Sequence, residues 1–561
     1  MIGLVAATTN GRRNAAHLAQ SWTDAHLYEG KPKEALRRAW TECDAIILFL
    51  ATGAAVRLIS PLLEDKTRDP GVVTVDDAAS FAVALCGGHD GGANRLAGRV
   101  ADALGATPVV TTASDALGVP ALDSLGAGLG FRREEDSDFA AVGAALVSGG
   151  RVNLVSDGRW PLGPLPENVV PSEKMEPPLV VISDRLFDVP KPAAVYRPPS
   201  LVVGVGCSRG ATADEVLTLL DSSLREASLS GKSLAALASI DVKRDEAGLL
   251  EAAGRLGVPI RFHTAEALSE VETPNPSNVV REAVGTPSVA EAAVLVSGAS
   301  LVLEKRKSEM ATVAVGRLPA RGKLYLVSLG PGEDALIPPL ARNALAASEL
   351  VVGLDQYVDR VRHLLRPCTR ILTPPLGNEI QRAELALEEA RSGGSAALVS
   401  SGDIGVYAMA SPVLELAGDD VDVVVVPGIT ASQAAASLLG SPLGHDHCSI
   451  SLSDLLTPWE VIERRVEAAA LGDFVVSLYN PRSQGRDWQL GKVKDLLLAH
   501  RPPDTPVGLV RDAYRPTQHV ALTDLASLRP EDVDMLTIVV VGSSQTRLVA
   551  GRMVTPRGYL S

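Results

Sequence analysis

Cysteine is scarce in this chain of 561 residues. The five cysteines stand far apart, without a Cys-x-x-Cys pair: Cys43, Cys86, Cys207, Cys368 and Cys448. Such spacing is typical of free thiols in a reducing compartment. It argues against a disulfide framework, a zinc ribbon and a cysteine-bound iron–sulfur cluster, and we expect no metal site.

Aromatic residues and an excess of positive charge are also lacking. The chain has 7 Phe, 5 Trp and 8 Tyr, which leaves little for a surface that stacks single-stranded bases. Its 53 lysines and arginines are outnumbered by 67 aspartates and glutamates, which gives a net charge of −14. An acidic balance disfavours a broad phosphate-binding face, so we expect no nucleic-acid partner.

Long apolar runs are missing as well. The longest run near the start, residues 45–56, is shorter than the roughly 20 residues of a membrane-spanning helix. The first residues lack the basic stretch that precedes the apolar core of a signal peptide. We therefore expect a cytoplasmic protein without a membrane partner.

Short runs of Val, Ile and Leu, by contrast, alternate with Ala- and Leu-rich stretches along the whole chain. Such runs are typical of strands buried on both faces, and their alternation with helices predicts an α/β protein with parallel or mixed sheets. The length favours three to four domains.

Two proline-rich stretches, residues 160–199 and 316–322, interrupt this alternation. The first predicts a small irregular domain or a linker, and the second predicts the main domain boundary. The expected domains are 1–130, 131–199 (the Pro-rich middle or linker), 200–318 and 323–561, the last with subdomains at about 323–428 and 429–561.

Four turns in the second half each follow a predicted strand: Gly330-Pro331-Gly332, Ser401-Gly402-Asp403, Val426-Pro427-Gly428 and Tyr479-Asn480-Pro481. Glycine lets the backbone approach a ligand closely because it carries no Cβ atom. Open α/β sheets bind ligands at the carboxyl ends of their strands. These turns therefore predict one ligand site at a sheet edge.

The order of motifs in this half resembles the tetrapyrrole methyltransferases that use S-adenosylmethionine. The motifs are GPG, SGDIGVYAMA, VPGITASQAAASLLGSPLGHD, SLYNPRS, VRDAYRPTQ and TIVVVG. Within that family, LDQYVDRV, LGNEIQRA and LSDLLTPW resemble the precorrin-3B C17-methyltransferases of cobalamin synthesis. The resemblance implies a two-subdomain α/β fold, usually a homodimer, that methylates precorrin-3B at C17 and contracts the ring to give precorrin-4.

Carried over to this chain, the resemblance assigns binding of S-adenosylmethionine to these positions: Pro331, Ser401, Gly402, Asp403, Val406, Thr430, Ala431, Tyr479, Ala513 and Thr537. It also places Asp355 near an acidic base of related methylases, with a solvated helix-end carboxylate as an equal alternative. Glu379 and Arg382 are substrate candidates, the arginine for an acetate or propionate arm. A surface ion pair between them is equally compatible with their spacing.

The first half carries a second set of motifs. Thr52–Arg57 follows a predicted strand, Lys66–Asp76 leads into another, and Gly87–Asn94 (GGHDGGAN) surrounds one histidine with glycines. A glycine-rich loop ahead of a helix lets backbone amides face an anion. Because the histidine is flanked by four glycines, we favour a functional loop over a structural one.

This half resembles the cobalt-precorrin-5A hydrolases, which open a ring-derived lactone in cobalamin synthesis. The further matching segments are TTASD at 111–115, GVGCSRGA at 204–211, SIDVKRDEAGL at 239–249 and TPNPSNVVREAVGTPSVAEAAV at 273–294. The lead-in Cys86-Gly87-Gly88 departs from the usual Leu-Ser-Gly, which removes the serine from any role in this chain.

Lactone hydrolysis needs an activated water and a polarised carbonyl group. His89 is the candidate general base, with Asp90 or Asp76 to orient it. Arg57 and Lys66 are candidates for binding carboxylate arms of the substrate.

Two other functions stay open. The first half could be a non-catalytic module that holds labile tetrapyrroles. Gly204–Gly210 has the spacing G-x-G-x-x-x-G, one residue longer than the dinucleotide fingerprint, so a dinucleotide-dependent oxidoreductase is the least favoured alternative. Whether the methylated substrate carries cobalt is also open. The second half lacks the extra cysteine-bearing segments of some metal-first relatives, whereas the hydrolase-like half belongs to the metal-first route.

Overall fold

The computed structural model describes residues 1–65, 68–88, 91–111, 122, 125–483 and 485–559. The chain forms two compact units. The first contains Met1–Gly158 and Leu165–Ala320, and the second contains Arg159–Pro164 and Arg321–Ser561. Helices pack on parallel or mixed sheets in both units, so the predicted α/β class is confirmed. Within the described ranges, no helix combines the length and apolar character needed to cross a bilayer.

The strands of the first unit are β1 (Ile2–Ala6), β2 (Ala25–Leu27), β3 (Ala45–Phe49), β4 (Gly71–Val75), β5 (Phe81–Cys86), β6 (Thr107–Val109), β7 (Arg132–Arg133), β8 (Val152–Ser156), β9 (Val169–Pro171), β10 (Leu179–Ile182), β11 (Ala193–Arg197), β12 (Leu201–Cys207), β13 (Leu234–Ile240), β14 (Ile260–His263), β15 (Ser300–Lys307) and β16 (Ala311–Arg317). Its helices are α1 (Thr9–Ser21), α2 (Pro32–Glu42), α3 (Thr52–Ile59), α4 (Ala93–Leu104), α5 (Phe139–Val147), α6 (Ala213–Glu226), α7 (Ala247–Leu256), α8 (Ala265–Ser269), α9 (Asn278–Val284) and α10 (Ala290–Val296). The strands form three sheets, ordered β2-β1-β3-β4-β5-β6, β7-β11-β10-β8-β9 and β14-β13-β12-β16-β15.

The first of these sheets reverses direction at β5. Strands β1 to β4 are parallel, whereas β5 is antiparallel to β4 and parallel to β6. The segments after β5 and β6 therefore lie at the edge where β3 and β4 begin. A strand of five residues separates that edge from the opposite one by roughly 16 Å. This reversal decides which motifs of the first half can meet.

The proline-rich stretch is more regular than the sequence predicts. Three strands of the second sheet, β9, β10 and β11, lie within residues 160–199. Pro178 and Pro192 immediately precede β10 and β11, and their carbonyl oxygens accept hydrogen bonds from the N–H groups of Asn153 and Leu179. Proline has no N–H to donate, so it is tolerated just ahead of a strand and the ladder stays complete.

The strands of the second unit are β17 (Lys323–Ser328), β18 (Leu350–Val352), β19 (Arg370–Leu372), β20 (Ser395–Ser400), β21 (Asp422–Val426), β22 (Gly440–Ser441), β23 (His447–Ser451), β24 (Val475–Tyr479), β25 (Pro506–Arg511), β26 (His519–Asp524), β27 (Thr537–Val541), β28 (Arg547–Val549) and β29 (Arg552–Val554). Its helices are α11 (Pro339–Ala346), α12 (Asp355–Val361), α13 (Glu379–Arg391), α14 (Ala410–Leu416), α15 (Ala431–Leu439), α16 (Trp459–Leu471) and α17 (Gln489–Leu498). The sheets are ordered β19-β18-β20-β17-β21, β22-β29-β28 and β23-β24-β27-β25-β26.

The sheet β19-β18-β20-β17-β21 is parallel throughout and buried on both faces. Leu324 and Leu326 of β17 pack in a cluster with residues of α13 and α14. Val327 packs in a second cluster with residues of α11 and α12. Because successive side chains of a strand point to opposite faces, double burial explains why this run shows no polar alternation.

Arg159–Pro164 belongs to the second unit although the residues on both sides of it belong to the first. The Arg159 guanidinium donates to Glu349 Oε2 (2.6 Å), to Ser392 Oγ (2.6 Å) and to Glu389. Glu389 is only 8% exposed and also pairs with Arg370. Burial raises the pKa of Glu349, and Arg159 opposes that rise. The second unit is thus held by a short segment that lies far from it in sequence.

We predict that Arg159→Met in the full chain destabilises the second unit at pH 7 by about 2 kcal/mol. This is less than the roughly 3–5 kcal/mol that removing one partner of a fully buried ion pair costs, because the arginine side chain is 40% exposed. Without Arg159 the pKa of Glu349 rises further, so its carboxyl group takes up a proton more readily. The loss should therefore shrink as the pH falls from 7 to 5.

Scanning calorimetry at both pH values measures this effect. Arg391→Met is the matched control, since Arg391 forms an exposed pair with Asp420. Equal shifts for the two variants, or a shift of Arg159→Met that does not depend on pH, would contradict a role for Arg159 in neutralising buried carboxylates.

Candidate functional site

The parallel sheet of the second unit brings most of the predicted donor-binding residues to one edge. Strands β17, β20 and β21 end at Ser328, Ser400 and Val426, and β20 lies beside β17, which lies beside β21. The loops that follow carry Pro331, the segment 401–406, and Thr430 with Ala431. Because the strands are parallel, these loops leave the sheet side by side.

A pair of glycines joins the first two loops. The Gly330 N–H donates to the Gly402 carbonyl oxygen (3.0 Å), and the Gly402 N–H donates to the Gly330 carbonyl oxygen (2.8 Å). The φ angles of Gly330 and Gly402 are +65° and +68°, a region that favours glycine. A Cβ atom on Gly402 would have no heavy atom nearer than 3.9 Å, so the space above its backbone is open. An open backbone at a strand end is suited to close approach by a ligand.

Asp403 joins the second and third loops. Its Oδ1 accepts a hydrogen bond from the Gly405 N–H (2.8 Å), and its Oδ2 accepts one from the Gly428 N–H (2.9 Å). The Ser328 hydroxyl accepts from the N–H of Ile404 (2.9 Å). Both carboxylate oxygens of Asp403 are therefore engaged by the backbone, and the side chain fixes the loops in relation to each other.

Tyr479, at the end of β24, connects this edge to the sheet β23-β24-β27-β25-β26, referred to below as the second sheet of this unit. Its hydroxyl lies 2.6 Å from Thr430 Oγ1 and accepts a hydrogen bond from the Ser432 N–H (3.0 Å). Its ring lies against that of Tyr407, with the ring centroids 5.1 Å apart. The start of α15, which contains Ala431, is thereby attached to the end of a strand from the other sheet.

Ala513 and Thr537 lie at the same end of that second sheet, after β25 and at the start of β27. Thr537 is buried and donates to Asp534 Oδ1 (2.7 Å). Ala513 packs against a cluster that includes Ala435 of α15. Both residues support the surroundings of the edge, and their donor contacts stay predictions.

Arg360 and Arg515 are close to these loops and were missed as individual candidates from the sequence. Both donate to Ser401 Oγ, at 3.3 and 3.1 Å, and Arg515 also donates to the Pro331 carbonyl oxygen (3.2 Å). They stand inside the motifs LDQYVDRV and VRDAYRPTQ. Their position in those motifs was the available signal, because an arginine beside a predicted ligand loop is a natural partner for an anion.

The structure separates the other candidates of this half. Asp355 is exposed at the start of α12, which follows β18. This position is compatible with both sequence-based alternatives, a catalytic carboxylate and a solvated helix end. Arg382 is buried, donates to the carbonyl oxygens of Pro374 and Pro375 and pairs with Glu379 at 2.8 Å. Its guanidinium group is thus occupied by the protein itself, which corrects the expectation that it binds a substrate arm. Glu379 remains partly exposed beside it.

In the first unit, the glycines of GGHDGGAN have a packing role. A Cβ atom on Gly91 would lie 2.8 Å from the Gly71 nitrogen and 2.9 Å from the Gly87 carbonyl oxygen. The carbonyl oxygens of Gly87 and Gly88 accept hydrogen bonds from the first N–H groups of α4, those of Ala93 and Asn94. The loop therefore satisfies two amides that the sequence predicts to face an anion. His89 and Asp90 lie outside the described residues.

The reversal at β5 decides which motifs of this unit lie together. The ends of β5 and β6 lie at the edge where Pro70 leads into β4, and Gly87 and Gly88 of the glycine loop follow β5 there. Residues 112–115 of TTASD lie outside the described residues. Lys66, earlier in that same segment, is outside the described residues. Arg57 and Asp76 follow β3 and β4 and lie at the opposite edge, where Arg57 donates to the Gly53 carbonyl oxygen. One site that includes Gly87, Arg57 and Asp76 is therefore excluded by the topology.

The segment GVGCSRG also has a packing explanation. A Cβ atom on Gly204 would lie 1.8 Å from the Ala290 carbonyl oxygen of α10, and one on Gly206 would lie 2.6 Å from Thr312 Oγ1. The Gly210 N–H, which a phosphate would need, donates to Glu246 (2.8 Å). Burial raises the pKa of the Cys207 thiol. These observations weigh against a dinucleotide site and against a cysteine nucleophile.

We predict that Asp403→Ala weakens binding of S-adenosylhomocysteine by about tenfold or more, because both backbone bonds that fix the loops are lost. Titration calorimetry on the full chain measures the affinity. Asp419→Ala removes an exposed carboxylate ahead of β21 and should leave the affinity unchanged. Equal affinities for the two variants would show that the loops do not depend on Asp403.

Four family models match the chain. Residues 34–115 match Cobalamin synthesis G N-terminal, residues 120–198 match Cobalamin biosynthesis central region, and residues 201–316 match Cobalamin synthesis G C-terminus. Residues 323–529 match Tetrapyrrole (Corrin/Porphyrin) Methylases. Both resemblances predicted from the motifs are confirmed by these matches.

Curated relatives align with the second half. A probable cobalt-factor III C(17)-methyltransferase of Salmonella typhimurium is 47% identical over 42% of this chain and 99% of its own length. A precorrin-3B C(17)-methyltransferase of a Sinorhizobium species is 41% identical over 42% of this chain and 97% of its own. A cobalt-factor III methyltransferase of Priestia megaterium is 44% identical over 43% of this chain, which spans only 45% of that longer relative.

Among solved structures, the methyltransferase CobJ is 39% identical over 42% of this chain and all of its own, with a TM-score of 0.41. This chain covers two of the curated relatives almost completely, which shows the family of residues 323–561. The three other family models match most of the residues before 317. The chain belongs to the tetrapyrrole methylases, joined in one polypeptide to the cobalamin synthesis G regions.

Proposed function

We propose that the second unit transfers the methyl group of S-adenosylmethionine to C17 of precorrin-3B, and that ring contraction then gives precorrin-4. The observation that carries this proposal is the alignment with C(17)-methyltransferases along 97% and 99% of their lengths. The proposal makes the chain an enzyme of cobalamin biosynthesis. The first unit acts in the same pathway, on a lactone intermediate.

The edge of the parallel sheet fits a methyl donor. S-adenosylmethionine supplies an already activated sulfonium methyl group when it is bound. The protein must then hold donor and acceptor in line, which small displacements would spoil. Gly402 presents open backbone, its hydrogen-bonded pair with Gly330 joins the first two loops, and Asp403 fixes the second and third loops. Tyr479 and Thr430 close one side, and Pro331, Ser401, Val406 and Ala431 complete the proposed donor site.

Proton transfer after methylation falls to Asp355 in this proposal. Its carboxylate is exposed in the loop that follows β18, one strand from the proposed donor site. A free carboxylate at that position can take a proton from the ring or return one during contraction. Glu379 is a further substrate contact at the end of the next loop, partly exposed at the start of α13.

A cobalt-bound precursor is the second candidate substrate. The Salmonella relative is named for cobalt-factor III, and the cobalamin synthesis G regions accompany the methylase in this chain. The Sinorhizobium relative is named for precorrin-3B, with an identity only slightly lower. The two substrates share the carbon to be methylated, so the choice depends on whether the site accepts a metal at the ring centre.

For the first unit we propose opening of the lactone of cobalt-precorrin-5A, with His89 as general base and Asp90 orienting it. The support is topological, because Gly87 and Gly88, which precede His89, follow β5 at the edge of the first sheet where β4 begins. Lys66 belongs to a segment that leads to that edge and is the proposed contact to a carboxylate arm. A non-catalytic module that binds tetrapyrroles is the alternative, and the same edge would serve it.

A homodimer remains part of the proposal. Leu455 and Leu456 of the second unit are 85% and 93% exposed, and Leu376 is 78% exposed. Apolar side chains exposed to this degree are suited to being covered by a second copy.

The test is incubation of the full chain with methyl-labelled S-adenosylmethionine and either precorrin-3B or cobalt-factor III, with mass spectrometry of the product. We expect one methyl group to be added and the ring to be contracted with the preferred substrate. His89→Ala should transfer methyl as the unchanged chain does and should lose lactone opening with cobalt-precorrin-5A.

The unchanged chain is assayed first for both reactions. Absence of methyl transfer to either precursor would contradict the proposed function of the second unit. Retained lactone opening in His89→Ala would remove His89 from catalysis. A loss of methyl transfer in that variant would show that the two activities share a site and would overturn the assignment of one activity to each unit.

A further inference from the structure

We infer that Arg360 and Arg515 of the second unit form a binding site for one carboxylate group of a ligand. The inference rests on the proposed function, because both proposed ligands carry carboxylates. The methyl donor has one at its amino-acid end, and the tetrapyrrole has several on its acetate and propionate arms. The carboxylate is the shared chemistry, and the experiment below separates its two sources.

The geometry places two guanidinium groups over one hydroxyl. Arg360 Nη1 and Arg515 Nη2 donate to the same Ser401 Oγ, at 3.3 and 3.1 Å. Arg360 comes from α12 beside the parallel sheet, and Arg515 comes from the loop after β25 of the second sheet. Each also reaches the GPG loop, Arg360 at the Leu329 carbonyl oxygen (3.5 Å) and Arg515 at that of Pro331 (3.2 Å). Two cations from different sheets thus meet at the proposed donor edge.

The positive charge of Arg360 is not balanced by the described residues. Arg515 has one carboxylate partner, Asp512 at 3.5 Å, which also lies 2.9 Å from Arg511. Arg511 has a second partner in Asp534, at 2.8 Å. Asp334, the other carboxylate that influences Arg360, forms an ion pair with Arg342 (3.1 Å) and lies 3.2 Å from His363 Nε2. Arg360 itself makes no ion pair with any described carboxylate, and its acceptors among the described residues are a hydroxyl and a carbonyl oxygen.

Burial makes the lack of a carboxylate partner for Arg360 significant. The pKa of Arg360 is lowered by burial and then by the neighbouring charge of Arg515, which indicates an environment that disfavours a cation. Its Nε–H is buried and has no hydrogen-bond partner among the described residues. An anion between the two arginines would relieve the repulsion and would accept hydrogen bonds from planar donors that match a carboxylate in shape.

A structural arginine in the same unit, Arg501, differs from Arg360 in the lengths of its hydrogen bonds. It too has a pKa lowered by burial and a buried Nε–H without a described partner. Its terminal nitrogens, however, donate to the carbonyl oxygens of Gly542 (2.6 Å), Phe474 (2.5 Å) and Ala469 (3.3 Å). The bonds of Arg360, at 3.3 and 3.5 Å, are long by comparison. Arg501 therefore has the short bonds of a residue that holds the fold, whereas Arg360 keeps hydrogen-bonding capacity for a ligand.

The test uses the full chain with Arg360→Gln and, as a matched control, Arg362→Gln, which lies two residues on in an exposed pair with Asp359. Titration calorimetry measures the affinity for S-adenosylhomocysteine and for its decarboxylated analogue, 5′-(3-aminopropylthio)-5′-deoxyadenosine. Methyl-transfer kinetics give the KM for the tetrapyrrole. Arg515→Gln and Arg360→Lys provide a second removal and a charge-retaining rescue, should Arg360→Gln fail to fold.

A donor carboxylate is shown if Arg360→Gln weakens S-adenosylhomocysteine at least about tenfold but leaves the decarboxylated analogue unchanged. A tetrapyrrole carboxylate is shown if both nucleoside affinities stay unchanged while the KM for the tetrapyrrole rises at least about tenfold. Arg360→Lys should recover part of either loss because it keeps the charge.

The inference is overturned if Arg360→Gln and Arg515→Gln behave like Arg362→Gln in all three measurements. It is also overturned if both nucleosides are weakened by the same factor, since that is the result expected of an arginine that only holds the loops. Failure of the proposed function is distinguishable, because the unchanged chain would then transfer no methyl group at all.

Discussion

The two hydrogen bonds that Asp403 accepts from the backbone are the constraint on which the proposed donor site depends. The N–H groups of Gly405 and Gly428 belong to the loops after β20 and β21, the two strands that flank β17 in one parallel sheet. Hydrogen bonds from backbone N–H groups to a charged carboxylate are stronger than hydrogen bonds between neutral groups. It holds the second and third loops at a fixed spacing, and the Gly330–Gly402 pair then fixes the first loop to the second. Every other contact at this edge builds on that frame.

The remaining contacts attach a second sheet to the frame. Tyr479 binds Thr430 at the start of α15, and Arg515 reaches the Pro331 carbonyl oxygen. Residues that are distant in sequence, from Pro331 to Thr537, thus surround one edge. The first unit has its own glycine-lined edge, formed by the reversed strand β5. Each unit therefore carries its own set of motifs.

Much of this could be predicted from the sequence, since glycine turns after buried strands indicate both the α/β class and the ligand edge. Three features could not. The reversal of β5 changes which edge the glycine loop occupies, and Phe81–Cys86 has the composition of a parallel strand. The burial of Arg382 depends on the carbonyl oxygens of a loop that composition does not fix. The place of Arg159 in the second unit results from a contact between residues more than 200 positions apart, Arg159 and Glu389.

The central claim is that the methyl donor binds at the loops joined by Asp403. Hydrogen exchange of the full chain with and without S-adenosylhomocysteine tests it most directly, because the affected amides identify the site. The account predicts protection in segments 328–332, 401–406 and 427–432, with none in residues 201–210. Protection confined to residues 201–210, or an unchanged exchange rate at all three loops under saturating ligand, would contradict it.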